Sequence, residues 1–243
     1  MRVLLVSDIH SNLAALNAVL ASPAAVSVDA VWHMGDVVGY GPQPNEVVAH
    51  LSAIAADGVL GNHDAAAIGA LPLDNFNPRA AEAARWTARA LTDVTVDALA
   101  SLPEVRTSDD VVRVHGTLAN PLWEYLTTSD QARAHFALQQ TPISVVGHTH
   151  LPVAIELTAA GHVLATAPGD ADRLELGEGR WVLNPGSVGQ PRDLDPRASC
   201  AILDLADRSV TFHRVAYDIA ETQRRIVAAA LPVDLATRLS FGR

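Results

Sequence analysis

The sequence predicts an α/β fold, because short aliphatic runs alternate with apolar residues at helical spacing as far as His150. Strands that alternate with helices form βαβ units, so we expect a largely parallel sheet that is buried on both faces. Hydrophobic residues make up 49% of the 243 positions and charged residues 18%, which allows a sizeable core. Since no linker is visible, we expect a single domain over residues 1–243.

Five predicted strands are each followed by side chains that can bind metals or move protons. These are residues 3–6 before S-D-I-H, 30–34 before G-D, 58–60 before G-N-H-D, 111–114 before H-G, and 143–146 before G-H-T-H. Helices are predicted where Leu13, Leu16 and Leu20, and then Val47, Leu51 and Ile54, share a face. In α/β sheets ligands bind at the carboxyl ends of the strands, where these polar residues fall.

Further elements are predicted between these strands and after His150. A helix rich in Ala and Arg is predicted over residues 79–91, with Trp86 as a packing anchor. Beyond His150, glycine-containing turns separate strand-like runs, which indicates a second, more antiparallel sheet. Its predicted strands are residues 153–157, 162–165, 181–183, 198–205 and 209–215, with a surface loop or loose hairpin at 167–180 and a final helix at 219–231.

Charge and cysteine content exclude several classes of partner. The net charge of −10 repels a phosphate backbone, so we expect no stable nucleic-acid complex and no membrane binding, but a small phosphorylated substrate remains compatible with local cations. The single cysteine, Cys200, lies in an apolar run and is expected to be a buried thiol. The first apolar run ends at Asp8, too soon for a signal peptide, so a cytoplasmic protein is expected. A homo-oligomer is compatible with the sequence.

The strand ends together form a set of nitrogen and oxygen donors. Such donors, without thiolates, select divalent metals such as Mn, Fe, Zn, Co or Ni. There are too many for one tetrahedral ion, whereas two ions about 3.5–4 Å apart would use them and would stabilise an in-line displacement at phosphorus. The donors are Asp8, His10, Asp36, Asn62, His63, His115, His148 and His150.

The ordered motifs S-D-I-H (7–10), M-G-D-V-V (34–38), G-N-H-D (61–64), V-H-G (114–116) and V-G-H-T-H (146–150) resemble those of the calcineurin-like metallophosphoesterase superfamily. N-P-G-S-V-G-Q-P-R (184–192) resembles a loop of its compact bacterial, phosphodiesterase-like members, so the resemblance extends to about residue 215. It implies a four-layer α/β/β/α sandwich of two stacked mixed β-sheets flanked by helices, with two divalent metal ions at the carboxyl ends of the strands.

The resemblance also implies a role for each donor. Asp36 bridges the two ions, and a metal-bound hydroxide, whose pKa the ions lower from ~16 towards neutrality, attacks phosphorus. His63 acts as a general acid or cationic stabiliser for the leaving oxygen, and Gly61 allows a sharp turn off the strand. Asp64 either orients the His63 imidazole or caps the following alanine-rich segment 65–67. One ion is held by Asp8, His10 and His150, and the other by Asn62, His115 and His148.

Two further residues are candidates for substrate contact. Arg192 offers a guanidinium fork suited to phosphate, in a glycine-containing loop whose amides are expected to be exposed, although a surface salt bridge explains it nearly as well. Asn12 and the loop 37–42 follow predicted ligands and are candidates for the edge of the pocket, although turn chemistry alone also explains them. The remaining histidines match no motif and are interpreted as structural or solvent-facing; they are His33, His50, His135, His162 and His213.

The function that follows is hydrolysis of a phosphoric ester, with a phosphodiester favoured by analogy with compact members of the superfamily. A phosphomonoesterase and a dinucleoside polyphosphate hydrolase are the alternatives within the enzyme class. From another class, a non-catalytic metal-binding scaffold for protein interaction, as in the retromer coat, should lack some ligands, and none is missing here. A mononuclear oxidoreductase would use only three of the donors.

Overall fold

Two six-stranded β-sheets form the centre of the computed structural model, which describes residues 1–108 and 110–243. The first sheet has the order β3-β2-β1-β11-β12-β9, and the second has the order β4-β5-β6-β10-β7-β8. The strands are β1 (Arg2–Val6), β2 (Ala30–His33), β3 (Asp57–Gly58), β4 (Val105–Ser108), β5 (Val111–Val114), β6 (Ile143–Val145), β7 (Pro152–Leu157), β8 (Val163–Thr166), β9 (Arg173–Glu175), β10 (Arg180–Pro185), β11 (Ala198–Asp204) and β12 (Ser209–Val215).

Helices flank the two sheets. Side chains at several helix starts accept a hydrogen bond from a backbone amide three residues on, as Asn77 does for α4 and Thr128 for α6. The helices are α1 (Leu13–Leu20), α2 (Pro44–Ala53), α3 (Asn62–Ala67), α4 (Pro78–Ala90), α5 (Asp93–Ala100), α6 (Ser129–Leu138), α7 (Ile219–Ala228) and α8 (Val233–Thr237), with 3-10 turns at Ala25–Ser27 and Arg238–Phe241. In the described part of the chain, none of them is long and apolar enough to cross a membrane.

The central strands are buried on both faces. Val3 and Leu5 of β1 pack into a cluster that includes Ile143 and Leu183 of the second sheet, whereas Leu4 and Val6 pack towards the helices. The alternation of side chains along a strand therefore places one apolar layer between the sheets and another beneath the helices. The four-layer arrangement of two mixed sheets flanked by helices is confirmed.

Two expectations about the sheets are wrong: that the first sheet is largely parallel, and that the strands after His150 form a second sheet of their own. The later strands do not form a sheet of their own, because β11 pairs with β1 in antiparallel orientation and β10 pairs with β6 in parallel orientation. Only four strand pairs are parallel among the described residues: β1 with β2, β2 with β3, β5 with β6, and β6 with β10. The physical reason is burial, since six of the seven residues of β11 are buried and such a strand needs neighbours on both sides.

Several elements lie where the sequence analysis predicted a loop or nothing. Strand β9 lies inside the predicted loop 167–180 and pairs with β12. Helices α5 and α6 and strand β4 were also not predicted, although the Thr128–Gln131 capping box marks the start of α6. The predicted strand 58–60 is shorter, because only Asp57 and Gly58 pair with β2. Cys200 is a fully buried free thiol, as expected.

Candidate metal centre

All of the predicted metal donors converge where the carboxyl ends of strands from the two sheets meet. The seven residues predicted to bind the metals are at most 4% exposed, and His63 is 5% exposed. One group consists of Asp8, His10 and His150, and another of Asp36, His115 and His148; within each group the donor atoms lie within 4.8 Å of one another. A short chain segment after each strand thus contributes to a single buried polar cluster.

In the first group, unprotonated atoms face one another. The Nδ1 atoms of His10 and His150 lie 3.1 and 2.6 Å from the carbonyl oxygens of Val38 and Gln190, which can only accept, so each ring carries its proton on Nδ1. Burial lowers the pKa of both imidazoles well below the usual value, so both rings are neutral. Their Nε2 lone pairs therefore oppose each other across 3.2 Å, an arrangement that a bound cation would stabilise.

The carboxylate of Asp8 completes this group. Its Oδ2 accepts hydrogen bonds from the Ser7 hydroxyl at 2.7 Å and the His148 amide at 3.1 Å. Its Oδ1 is buried, lies 3.2 Å from Nε2 of His150, and has no hydrogen-bond partner within the described residues. Burial raises the pKa of Asp8 to about 7, because an unpaired buried carboxylate is poorly solvated. One oxygen of Asp8 is thus fixed by the protein and the other is free for a cation.

In the second group, acceptors surround Nε2 of His115. Asn62 Oδ1 and His148 Nδ1 each lie 3.1 Å from it, and Asp36 Oδ2 lies 3.3 Å from it. Although burial lowers the pKa of His115, the Asp36 carboxylate outweighs that effect and raises the pKa to about 9. A proton on His115 supplies the positive charge that these acceptors require, and a divalent ion would replace that proton.

Asp36 lies between the two groups. Its Oδ1 accepts a hydrogen bond from the His63 amide at 2.8 Å, while Oδ2 lies 3.7 Å from Nε2 of His10 and 3.3 Å from Nε2 of His115. Although burial raises the pKa of this carboxyl group, His115 and His63 lower it to well below the usual value. A permanently ionised carboxylate with one oxygen between the two groups fits the bridging position that the family resemblance implies.

The backbone of the cluster is strained. Five predicted donors have a positive φ, which costs a residue with a Cβ about 1–2 kcal/mol and persists only when the surroundings enforce it. They are Asp8 (51°), His10 (48°), Asp36 (51°), His148 (64°) and His150 (62°). Because stability alone does not favour these conformations, their concentration at one place supports a functional site.

Glycine is required at position 61 because a Cβ would collide with neighbouring atoms, and not because the backbone turns sharply there. Its φ of −99° and ψ of 169° are open to any residue, so the expected sharp turn is not the reason for glycine. A Cβ at this position would lie 2.2 Å from both the backbone nitrogen and Oδ1 of Asp36. Any larger residue would therefore displace the central carboxylate.

His63 is packed beside the donors. Its ring centroid lies 4.4 Å from that of Tyr40, 5.0 Å from that of Phe76 and 5.0 Å from that of His10. Burial lowers its pKa to about 4, so the ring is neutral at pH 7 in the absence of substrate. His63 Nδ1 has no hydrogen-bond partner among the residues that the structure describes.

Asp64 serves the start of α3 and not the His63 ring. Its oxygens accept hydrogen bonds from the Val38 amide at 2.9 Å and the Gly61 amide at 3.1 Å. Asp36, and not Asp64, is the carboxylate that raises the pKa of His63 against the effect of burial. Of the two interpretations of Asp64, the structure thus supports capping of the helix. The bond to the Val38 amide also connects Asp64 to the loop after Asp36.

Asn12 has the contacts of a structural residue. Its Oδ1 accepts from the Ala15 amide and the Thr222 hydroxyl, and its Nδ2 donates to the Gly189 carbonyl at 3.0 Å. With Oδ1 engaged twice and the side chain buried, the prediction that Asn12 binds substrate is not supported by this geometry.

The loop 184–192 braces the metal centre, so the expectation that its amides are exposed to substrate is wrong. The Val188 and Gly189 amides each donate at 3.0 Å, to the Ser7 and Asp8 carbonyls respectively. Arg192, at the end of the loop, is partly buried and donates to Gln190 Oε1 at 3.2 Å, and it helps to lower the pKa of His63. The alternative of a salt bridge at Arg192 finds no support, because no carboxylate within the described residues pairs with it.

Aromatic side chains that sequence reasoning did not assign to the site surround it. Tyr125, 45% exposed, stacks on His148 with centroids 4.0 Å apart, and Trp123 contacts Phe76 at 4.8 Å and accepts a hydrogen bond from His148 at its carbonyl. Of these aromatic residues, only Tyr40 could have been expected near the site from the sequence, because it lies in the loop 37–42. The remaining histidines lie outside the centre; His135, for example, accepts from the Leu118 amide and bonds to Ser144.

Comparisons with known proteins agree with this geometry. A family model described as the calcineurin-like phosphoesterase superfamily domain matches residues 1–208. An uncharacterized protein of Methanocaldococcus jannaschii is 35% identical over 247 aligned residues, covering 99% of this chain and 98% of that protein.

Solved structures with similar folds include two that match along the whole chain. A metallophosphoesterase from Sphaerobacter thermophilus is 44% identical, with a TM-score of 0.91 over 100% of this chain and 99% of that one. A hypothetical protein from Pyrococcus horikoshii OT3 shares the fold at 19% identity, with a TM-score of 0.81 over 100% and 98% of the two chains. The chain therefore belongs to the calcineurin-like phosphoesterase superfamily.

Proposed function

We propose that this protein hydrolyses a phosphodiester with the help of two divalent metal ions. The observation that carries the proposal is the facing arrangement of lone pairs in two groups that share Asp36. Asp8, His10 and His150 would hold one ion and Asn62, His115 and His148 the other, with Asp36 between them. Bound there, the two ions would lower the pKa of a water molecule and stabilise the charge on the phosphoryl oxygens.

His63 would assist the leaving group. As a neutral imidazole it can donate an N–H to the leaving oxygen without adding a charge beside the ions. Its ring is buried and packs against the rings of Tyr40 and Phe76, which limits its rotation. An approaching phosphate anion would raise the pKa of the ring, so that it could take up a proton from solvent and, as imidazolium, pass that proton to the leaving oxygen.

A diester is favoured over a monoester by analogy, because compact members of the superfamily, with little chain available for a large cap, often act on diesters. Phosphomonoesters and dinucleoside polyphosphates are the alternatives that the first experiment separates.

The test combines metal analysis with turnover. Purified protein would be loaded with Mn, Ni, Zn or Mg, its metal content measured, and hydrolysis of bis(p-nitrophenyl) phosphate compared with that of p-nitrophenyl phosphate. We expect two ions per chain and a larger kcat/KM for the diester. Protein that holds two ions but hydrolyses neither ester with any metal would contradict the proposal and favour a non-catalytic scaffold.

A further inference from the structure

A polar cavity is lined in part by Tyr40, whose ring also contacts the candidate metal centre. Its volume is about 380 Å³. Tyr40 itself is 6% exposed, and its ring lies 4.8 Å from that of His10 and 4.4 Å from that of His63. The cavity is therefore one aromatic ring away from the proposed reaction site. Its lining residues are Tyr40, Asn77, Arg79, Asp234, Leu235, Arg238 and Arg243.

The cavity carries an excess of positive charge. Arg79 is paired with Asp234, the one acidic side chain in the lining. Arg238 forms no ion pair with an acidic side chain of the described residues; its Nε donates to a main-chain oxygen of Arg243, the last residue of the sequence. Three guanidinium groups, those of Arg79, Arg238 and Arg243, thus line the cavity against one acidic side chain, and burial together with Arg192 and Arg79 lowers the pKa of Arg238.

Arg192 extends this charge to the metal centre. It donates to the side chain of Gln190, whose backbone carbonyl oxygen lies 2.6 Å from Nδ1 of His150, and its charge also lowers the pKa of Arg238. Arg192 Nε is buried and without a partner within the described chain. Two arginines that pair with no acidic side chain of the described residues thus lie beside the proposed reaction site and in the cavity.

The cavity depends on the carboxyl-terminal segment, beyond the residues 1–208 that match the family model. Leu231, Leu235 and Leu239 of this segment are buried against Tyr40 and Ala80 in one apolar cluster. That packing fixes the 3-10 turn Arg238–Phe241, which presents Arg238 to the cavity. The cavity therefore depends on a segment outside the part of the chain that the family model matches.

We propose that this cavity binds a second phosphoryl group of the substrate, one that does not react, with Arg238 as its main contact and Arg192 between the two sites. Guanidinium groups bind phosphate through charge-assisted, often paired hydrogen bonds, and no acidic side chain of the described residues pairs with Arg238. The substrate class is then a phosphodiester that carries an additional phosphate. This inference rests on the proposed function, since it describes the substrate of the same site.

The kinetic test uses two esters that differ by one phosphate: the p-nitrophenyl ester of thymidine 5′-phosphate, without and with a 3′-phosphate. For the metal-loaded wild type, the additional phosphate should lower KM. In Arg238→Gln the KM of the bisphosphate should rise about tenfold, while kcat and the KM of the simple ester stay within about twofold. Arg238→Lys should recover part of the loss. Arg85→Gln, which removes an exposed charge elsewhere on α4, is the matched control.

The second test measures binding of inorganic phosphate to the metal-loaded protein by calorimetry and needs no turnover. Wild type should bind two phosphate ions per chain, and Arg238→Gln should bind one. If wild type and Arg238→Gln show equal phosphate binding and equal selectivity between the esters, the inference is overturned. If neither ester is hydrolysed but Arg238-dependent phosphate binding remains, the proposed function fails while the anion site stands.

Discussion

The metal centre and the arginine cavity share Tyr40 but are built in opposite ways. In the centre, backbone carbonyls and amides hold His10, His150 and Asp8, so the donor atoms are in place before any ligand arrives. In the cavity, the proposed functional groups are long guanidinium side chains, and Arg238 pairs with no acidic side chain of the described residues. The first region is therefore suited to holding ligand atoms at fixed distances, whereas the second is suited to attracting a negatively charged group. Damage to the first should reduce metal content and turnover, whereas damage to the second should reduce affinity.

The largest effect is expected from Asp36→Asn. Removing the central charge should reduce the metal content well below two ions per chain and should lower kcat/KM at least about a hundredfold. Metal analysis of the purified variant, followed by turnover at saturating metal, measures both quantities. Asp97→Asn, at an exposed position on α5, is the control. Retention of both ions in Asp36→Asn would show that its carboxylate does not bridge them.

His63→Ala should separate turnover from metal binding within the centre. We expect kcat to fall about 10²–10³-fold, because a proton donor to the leaving oxygen is lost, while two ions remain bound. The loss should be smaller for a nitrophenyl ester than for an alkyl ester, since nitrophenolate leaves without a proton. His162→Ala, which removes an exposed histidine, is the control. Loss of metal from His63→Ala would make it a ligand and contradict its role here.

Arg192→Gln tests the boundary between the two regions. We expect KM to rise about tenfold through the loss of a charged contact to phosphate, with both ions retained. Steady-state kinetics on the diester, with Arg85→Gln as the control for net charge, measures this effect. A fall in kcat with KM unchanged would show that Arg192 acts in the chemical step and not in substrate binding.

The smallest effect on metal binding and turnover is expected from His135, a buried histidine that belongs to neither region. Burial lowers its pKa to about 4 from 6.5, so between these values the unfolded chain binds more protons and stability falls as the pH falls. Wild type should lose on the order of 3 kcal/mol more unfolding free energy than His135→Gln between pH 6.5 and pH 4. Denaturant titrations at both pH values measure the difference. At each pH, wild type and His135→Gln should contain the same amount of metal. Equal pH dependence of the two proteins would contradict a buried neutral His135.

The convergence of the candidate metal donors could be predicted because each of them closely follows a hydrophobic strand and lies within a short motif. The partition of strands between the two sheets could not, since the pairing of β11 with β1 joins residues nearly two hundred positions apart. The contacts of Asp64 and Asn12 could not be predicted either, because a side chain beside a site can face the backbone as readily as the substrate.

The arginine cavity was likewise invisible in the sequence. Arg238 lies in no motif, and its position depends on the packing of Leu235 and Leu239 against Tyr40. The aromatic contacts of His63 and His148 arise in the same way, from Phe76 and Tyr125 in loops that carry no periodic signal. What the sequence reveals is therefore the chemistry that directly follows strands, and what it conceals is the chemistry assembled by distant packing.

The carbonyl groups that orient the imidazoles have a consequence for mutagenesis. Met34, Val38 and Gln190 hold His115, His10 and His150 through oxygen atoms that every amino acid possesses. An alanine scan replaces side chains and keeps these oxygens, so it would score the three positions by their packing alone. Homologues can therefore exchange the residues at these positions freely and still aim the imidazoles alike, and only replacing the amide linkage itself, for example by an ester, would expose how much the aiming contributes.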